Sequence, residues 1–479
     1  MKITKKDIRL NASPRAVITQ FLHLPGTERI NNILSRIEGL SEMEITGLLE
    51  KIKTGFGKRH RNLEAIFKRH FNQIEEKLDK STFLYLSGNK KLLIGAYFTK
   101  EYSIQAAALF NPSIVQHPDQ TGLQQGEQRF IMSLRATGEG HISSIIFQTG
   151  VVDELNNISL DISHNFFTCL NKNERTLYEK SFIEKATSFF PGFQKEILDI
   201  LPEQFTANEA LQKIQNSGII KSGFFDSTVE NLKTVLDSNY ELESSPGISL
   251  DEKVIFPNAS GESMGMEDAR FVMFSDHHNT VYYGTYTAYN GREIKTQLNE
   301  TNNFNDFKIM TLYGNAISDK GMALFPEKIE GKYAMISRQG GEKISIMFSD
   351  DLYVWDSYQT LMEPLYPWEL VQLGNCGSPV KTEKGWLLLT HGVGPLRTYV
   401  ISAILLDLKN PAVILGRLDK PILEADEKER DGYVPNVVYT CGLLLHKNVL
   451  IIPYAVSDSA TAFATIELNE ILNELLQNN

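Results

Sequence analysis

The apolar positions of this chain change their period along its length. From Thr27 to Leu40, and again from Ser41 to Lys53, they recur at helical spacing, with Ile45, Leu48, Leu49 and Ile52 on one stripe of the second segment. Ser41 followed by Glu44 has capping-box spacing, which ties two orphan amides at a helix start. A third helix is predicted from about Asn62 to Leu78, its stripe formed by Leu63, Ile66, Phe67, Phe71 and Ile74. Its polar side is basic, with Lys58-Arg59-His60-Arg61 before it and Lys68-Arg69-His70 within it. Such a run reads as a solvated basic face or, alternatively, as a phosphate or partner site. The expected unit is a helical region over residues 1–82, followed by a second domain over 83–479.

From about Phe83 the apolar runs become short and are separated by turn residues. Predicted strands include Arg129–Leu134, His141–Thr149, Phe271–Phe274, Val281–Tyr289, Tyr333–Ser337, Ile344–Ser349, Trp386–His391, Thr398–Leu406, Leu443–Leu445 and Val449–Ala455. A turn, an aromatic and an apolar strand recur together at Gly331-Lys332-Tyr333, at Lys384-Gly385-Trp386 and at His278-Asn279-Thr280 before Val281-Tyr282-Tyr283. A repeat of roughly fifty residues favours propeller blades over a sandwich. The stretch from Glu174 to about Leu236 is helical and charged, with Leu177, Phe182, Phe189, Phe190 and Ile197, and reads as an insertion. The expected class is mainly β, a β-propeller with an N-terminal α-helical region and a helical insertion at about 174–236.

Composition narrows the setting. The 479 residues carry a net charge of −11, which argues against a general binder of nucleic acid or anionic membranes. No apolar h-region follows Met1-Lys2-Ile3-Thr4, and no run approaches the roughly 18 apolar residues of a membrane span. The three cysteines, Cys169, Cys376 and Cys441, fit neither a zinc site nor a disulfide framework. A soluble, cytoplasmic protein is expected, with no metal and no cofactor.

The candidate chemistry starts at Gly265-Met266-Glu267-Asp268-Ala269-Arg270. On a regular strand Glu267 and Asp268 point to opposite faces, so one faces a cavity while the other anchors the turn, and Arg270 shares the side of Asp268. A carboxyl group beside a guanidinium stays ionised unless burial or a bound substrate raises its pKa. A structural salt bridge at a turn is the competing reading. Propellers place functional residues around their channel, and Asn111, Arg135, Tyr286, Arg338, His391 and Asn436 each follow or interrupt an apolar strand. Polar groups in such places need a partner or a ligand.

Three stretches in order, Gly265–Arg270, Tyr286–Tyr289 and Leu324–Arg338, resemble glycoside hydrolase family 130. So do Gly385–Val393, Asp431–Val437 and Tyr454–Asp458. The resemblance covers roughly 105–465 and implies a five-bladed β-propeller acting on β-mannosides, as a phosphorylase or a hydrolase, with inversion. It implies that Asp268 is the catalytic acid, with Asn111, Arg135, Arg270, Tyr286, Asn436 and Asp458 binding substrate. It also implies that Lys320, Arg338, Gln372 and His391 line the site of the phosphate or water nucleophile.

Phosphorylases of the family use an Arg-Asn pair where this chain has Lys320-Gly321, and a Lys where it has Gln372. Glu369 lies close by, and a like charge at about 4 Å in an effective dielectric near 20 costs a phosphate about 4 kcal/mol. An acid there suits a general base for water, with Glu327 a second candidate that could instead pair with Lys328 or Lys332. The expected reaction is therefore inverting hydrolysis releasing mannose from β-mannosides, β-1,2-mannosidase-like. The alternative is a phosphorylase, with inorganic phosphate as co-substrate and mannose 1-phosphate as product. A non-catalytic sugar-binding propeller, stacking sugars on Tyr286, Tyr289, Trp368 and Tyr439, is a further reading. The expected partner is a mannose-containing oligosaccharide. The N-terminal amphipathic helices serve either to close over the site or to form the interface of a homo-oligomer.

Overall fold

The structure, a computed structural model, describes residues 1–78, 83, 85–162, 166–217, 226–276 and 279–477. His278, from the third recurring turn unit, lies outside these residues. The described chain is mainly β, with eight α-helices.

The strands between 108 and 467 fall into successive antiparallel groups. Ala108–Gln116, Gln128–Thr137 and Ser143–Val152 pair in order, as do Gly265–Asp276, Asn279–Tyr289, Ile294–Thr301 and Asp306–Thr311. Gly265 meets Ser143 in a parallel register, which joins these two groups into one twelve-stranded sheet. Ala323–Leu324, Tyr333–Ser337, Ile344–Ser349 and Gln359–Met362 form a four-stranded sheet, and Gln372–Asn375, Trp386–Val393, Tyr399–Leu406 and Ile414–Arg417 run through another. The last group holds Val449–Val456 and Ala460–Glu467, and each group packs apolar residues from its strands against its neighbours.

Residues 1–82 are not helical throughout. Ile3–Asn11 is a strand paired with Ala460–Glu467, and Val17–Phe21 pairs with Thr99–Ser103. The first strand carries a register shift between Lys6 and Arg9, so its apolar residues never alternate cleanly. Helices then occupy Thr27–Glu38, Glu42–Phe56, Leu63–Glu75 and Gly88–Tyr97, around a core that includes Ile45, Phe67, Phe71, Ile74 and Leu93. The Ser41–Glu44 capping box is formed, with Ser41 N donating to Glu44 Oε2 at 2.9 Å. Gly95 allows two of these helices to touch, because a Cβ there would fall 1.9 Å from the Phe67 carbonyl oxygen.

The basic run before the third helix is not simply solvated. His60 bonds Glu101 at 2.6 Å, Arg59 reaches the same carboxylate at 3.2 Å, and Arg61 meets the buried Glu252 at 2.6 Å. These ion pairs fasten the helices to the sheets. The insertion contains Lys180–Thr187, Ala207–Asn216 and Asp226–Ser238, whose buried Ile183, Ile214 and Leu232 share a core with Tyr313 and Val354.

Candidate active site

Two breaks in strand register build one end of the site. Ala108–Gln116 slips between Phe110 and Ser113, and Gly265–Asp276 slips between Glu267 and Arg270. The backbone is left-handed at Asn111 (φ 48°) and Asp268 (φ 55°), a conformation that Asn and Asp tolerate better than other side chains. The bulge cancels strand alternation, so Glu267 and Asp268 do not point to opposite faces. Both reach Arg135, whose Nη2 lies 2.8 Å from Glu267 Oε1 and whose Nη1 lies 3.2 Å from Asp268 Oδ1. Arg135 also donates from Nε to Ser143 Oγ at 2.9 Å and lies over the Phe110 ring. Asn111 Nδ2 donates to Asp268 Oδ1 at 2.5 Å.

Burial pushes the Asp268 pKa up, but Arg135, Lys320 and Arg270, with the Asn111 hydrogen bond, outweigh it and hold the group below the usual range. Arg270 forms no ion pair with Asp268. It is buried and donates from Nη2 to the Tyr439 hydroxyl at 2.5 Å, while its Nε and Nη1 have no hydrogen-bond partner among the described residues.

The other end of the site is cationic and gathers around two glycines. A Cβ on Gly321 (φ 93°) would lie 3.2 Å from Arg270 Nη1, 3.4 Å from Arg338 Cβ and 3.5 Å from Asn375 Oδ1. A Cβ on Gly374 would fall 2.4 Å from His391 Cε1 and 3.2 Å from Arg338 Cδ. Arg270, Arg338, His391 and Asn375 therefore meet at one place. Arg338 Nε and His391 Nε2 are buried without a hydrogen-bond partner among the described residues, and Arg338 Nη2 is 3.6 Å from Asp319. Burial, with Arg338 and Arg270 beside it, holds the His391 pKa well below its ordinary value, so the ring is neutral at pH 7. Lys320 borders both ends, with Nζ 2.5 Å from Glu267 Oε2.

The remaining expected residues divide. Asp458 (φ 48°) belongs with the acidic end: burial first, then Asp268, raises its pKa to about 7 against the pull of Arg135 and Arg397. Asn436 (φ 62°) is half-buried, and its carbonyl accepts from Tyr399 N at 3.0 Å. Tyr286 is buried and its hydroxyl donates to Glu262 at 2.5 Å, which leaves it a supporting place in the core. Gln372 begins the strand that ends in Asn375.

Neither candidate base is free. Glu369 is fully buried: one of its oxygens accepts from Leu365 N at 2.8 Å, from Tyr366 N at 2.9 Å and from Arg417, and the other has no hydrogen-bond partner among the described residues. Glu327 is on the surface and pairs with Lys381 at 2.5 Å, not with Lys328 or Lys332, which pair with Asp276 and Asp350.

Residues 235–477 match the family described as β-1,4-mannooligosaccharide phosphorylase, a span of half the chain that contains Asp268, Arg270, Arg338, His391 and Asp458. The chain belongs to glycoside hydrolase family 130. Among curated relatives, the family 130 chain is 33% identical over 227 residues to a 1,2-β-oligomannan phosphorylase of a Thermoanaerobacter species, covering 46% of this chain and 75% of the relative. It is 33% identical over 238 residues to a β-1,2-mannobiose phosphorylase of Listeria innocua, covering 47% of this chain and 65% of the relative. Among solved structures, a β-1,2-mannobiose phosphorylase from Listeria innocua bound to β-1,2-mannobiose aligns with a TM-score of 0.47 and 22% identity, over 77% of this chain and 92% of that one.

Reading the sequence of this family 130 member missed three contributors. Glu267 bridges Arg135 and Lys320, Tyr439 holds Arg270 by its hydroxyl, and Asn375 enters the cationic end. Glu267 stood beside Asp268 in the motif, but only the bulge puts it on the same side.

Proposed function

We propose that the protein is an inverting β-mannoside phosphorylase, with phosphate bound between Arg270, Arg338 and His391 and the scissile mannoside lying toward Asp268. This reading replaces the hydrolysis expected from Glu369 and Gln372. The observation that carries it is the set of buried donors at Arg270 Nε and Nη1 and Arg338 Nε, which have no hydrogen-bond partner among the described residues. Buried charged donors call for an anion, and phosphate is a nucleophile that needs cations instead of a base. Hydrolysis would need a free carboxylate opposite the acid, and Glu369 is already bonded to two backbone amides and Arg417. The names of the relatives agree with phosphorolysis of β-mannosides.

The chemistry follows from the charges. A phosphate oxygen attacks the anomeric carbon, the bond to the aglycone oxygen breaks, and that oxygen takes a proton from Asp268, directly or through a sugar hydroxyl. The surrounding cations keep Asp268 ionised. A phosphate dianion beside Arg270 offsets that field and raises the Asp268 pKa, so binding of the nucleophile prepares the acid. Asn111 and Arg135 hold the carboxyl in place. The five strand groups from 108 to 467 support a five-bladed propeller reading, with the helices of 27–97 as an accessory layer beside it.

The test is incubation with β-1,2- and β-1,4-mannobiose, with and without inorganic phosphate. Mannose 1-phosphate formed only when phosphate is present is the expected result. Free mannose at equal rates in both conditions would restore hydrolysis.

A further inference from the structure

At the cationic end of the pocket, Asn375 presents an acceptor that, unlike the Asp319 carboxylate beside Arg338, has no partner among the described residues. Asn375 is fully buried at the end of the strand Gln372–Asn375. Its Nδ2 donates to the Gly377 carbonyl at 3.2 Å, and this fixes which way the amide faces. A flipped amide would set Oδ1 against that carbonyl with no proton between them. Oδ1 therefore faces the point beside Gly321 that is shared with Arg270 Nη1 and the Arg338 side chain, and it has no hydrogen-bond partner among the described residues. Gly321 keeps this space open, since any side chain would project into it.

We propose that Asn375 Oδ1 accepts the hydroxyl proton of hydrogen phosphate, so that this pocket selects phosphate over sulfate. The inference rests on phosphate being the second substrate. The arginines supply donors to unprotonated oxygens, and they treat phosphate and sulfate dianions alike because charge, size and shape are nearly the same. An acceptor does not. The monohydrogen phosphate dianion carries one P–OH, which satisfies the buried lone pair. Sulfate carries no proton at neutral pH, so one of its oxygens would face Oδ1 with nothing to share and both would remain desolvated. A pocket built to pair a ligand hydroxyl rejects the analogue lacking it far more strongly than a cluster of cations alone could.

The experiment is calorimetric titration of the intact protein with phosphate and with sulfate, at mildly alkaline pH and constant ionic strength, for the wild type and Asn375→Ala. Sulfate inhibition of mannobiose turnover is measured in parallel. In the wild type, phosphate is expected to bind about a hundredfold or more tighter than sulfate. In Asn375→Ala the two affinities converge by about tenfold or more, with phosphate weakened and sulfate strengthened. Equal affinities in the wild type overturn the inference without any variant, so a misfolded Asn375→Ala leaves it testable. An unchanged ratio in a variant that melts like the wild type overturns it too. Turnover that ignores phosphate defeats the phosphorolytic reading separately, while the binding ratio still judges Asn375. If phosphate does not bind at all, both fall.

Discussion

Glu369 and Asp268 each sit beside an arginine inside the protein, and their surroundings make them opposites. Glu369 has no exposure, and its bonded oxygen is held by two backbone amides as well as by Arg417. Backbone amides cannot swing away, so this carboxylate is fixed where it stands by its bonded oxygen, while its other oxygen is buried without a hydrogen-bond partner among the described residues. Asp268 keeps 19% of its side chain exposed and is held only by the side chains of Asn111 and Arg135. Its cationic neighbours are shared with Glu267 and with the open end of the pocket. A counter-charge that can be drawn off by an entering anion makes a titratable group responsive, and one that belongs to the group alone makes it structural.

The sharpest way to break that contrast is to neutralise each acid. Asp268→Asn is expected to lower turnover by about three orders of magnitude, because an amide cannot donate the proton that leaves with the aglycone. Its melting temperature should remain close to that of the wild type. Glu369→Gln should do the reverse. It leaves Arg417 without its counter-charge and is expected to cost about 3–5 kcal/mol of stability by denaturant unfolding. Turnover by the folded enzyme should stay within about an order of magnitude of wild type. A hundredfold loss of turnover in a stable Glu369→Gln protein would return the base role to that residue.

Why Glu369 invited that role is clear from how far its charged partner lies along the chain. Arg417 comes 48 residues later, at the end of the strand Ile414–Arg417, and nothing near Glu369 announces the pair. Local signals were legible where the structure is local. The Ser41–Glu44 box forms as spelled, and Tyr333–Ser337 and Ile344–Ser349 begin and end where alternation and turn residues place them. The strand Ile3–Asn11 was not legible, because its partner is at the other end of the chain and a bulge breaks its pattern. Bulges also hid the site's geometry: at Asn111 and Asp268 the residue types were visible, but the left-handed backbone that aims them together was not.

Between these two acids lies the cationic end, and it sharpens the comparison by a second route. Arg338→Ala removes a buried donor that has no hydrogen-bond partner among the described residues, so the phosphate KM is expected to rise about a hundredfold, equivalent to about 3 kcal/mol for a charge-assisted contact. The mannoside KM should change little, since Arg338 makes no contact with Asn111, Arg135 or Asp268 among the described hydrogen bonds and ion pairs. Equal increases in both constants would mean that Arg338 holds the pocket together and does not bind the anion.

The smallest expected effect tests the charge state of the acidic end without any substrate. Burial and the nearby Asp268 raise the Asp458 pKa from 3.8 to about 7. Between those values the folded protein keeps a proton that the unfolded chain has released, so the stability contributed by this group is full below about pH 4 and is lost as pH rises through 7. Asp268 has the opposite sign: its depressed pKa contributes stability above the unfolded value and loses it as pH falls. Asp458→Asn should therefore gain on the wild type as pH rises from about 4 to about 8, whereas Asp268→Asn should lose against it as pH rises toward about 4 and run parallel above that. A shift of about three units corresponds to about 4 kcal/mol in full, and the half-buried position of Asp458 beside Arg135 reduces the expected gain to about 1–2 kcal/mol. Denaturant unfolding at several pH values reads both variants against the wild type. Parallel curves for Asp458→Asn and wild type would show that Asp458 is already ionised at neutral pH, and the pocket would then carry one more negative charge facing any incoming phosphate.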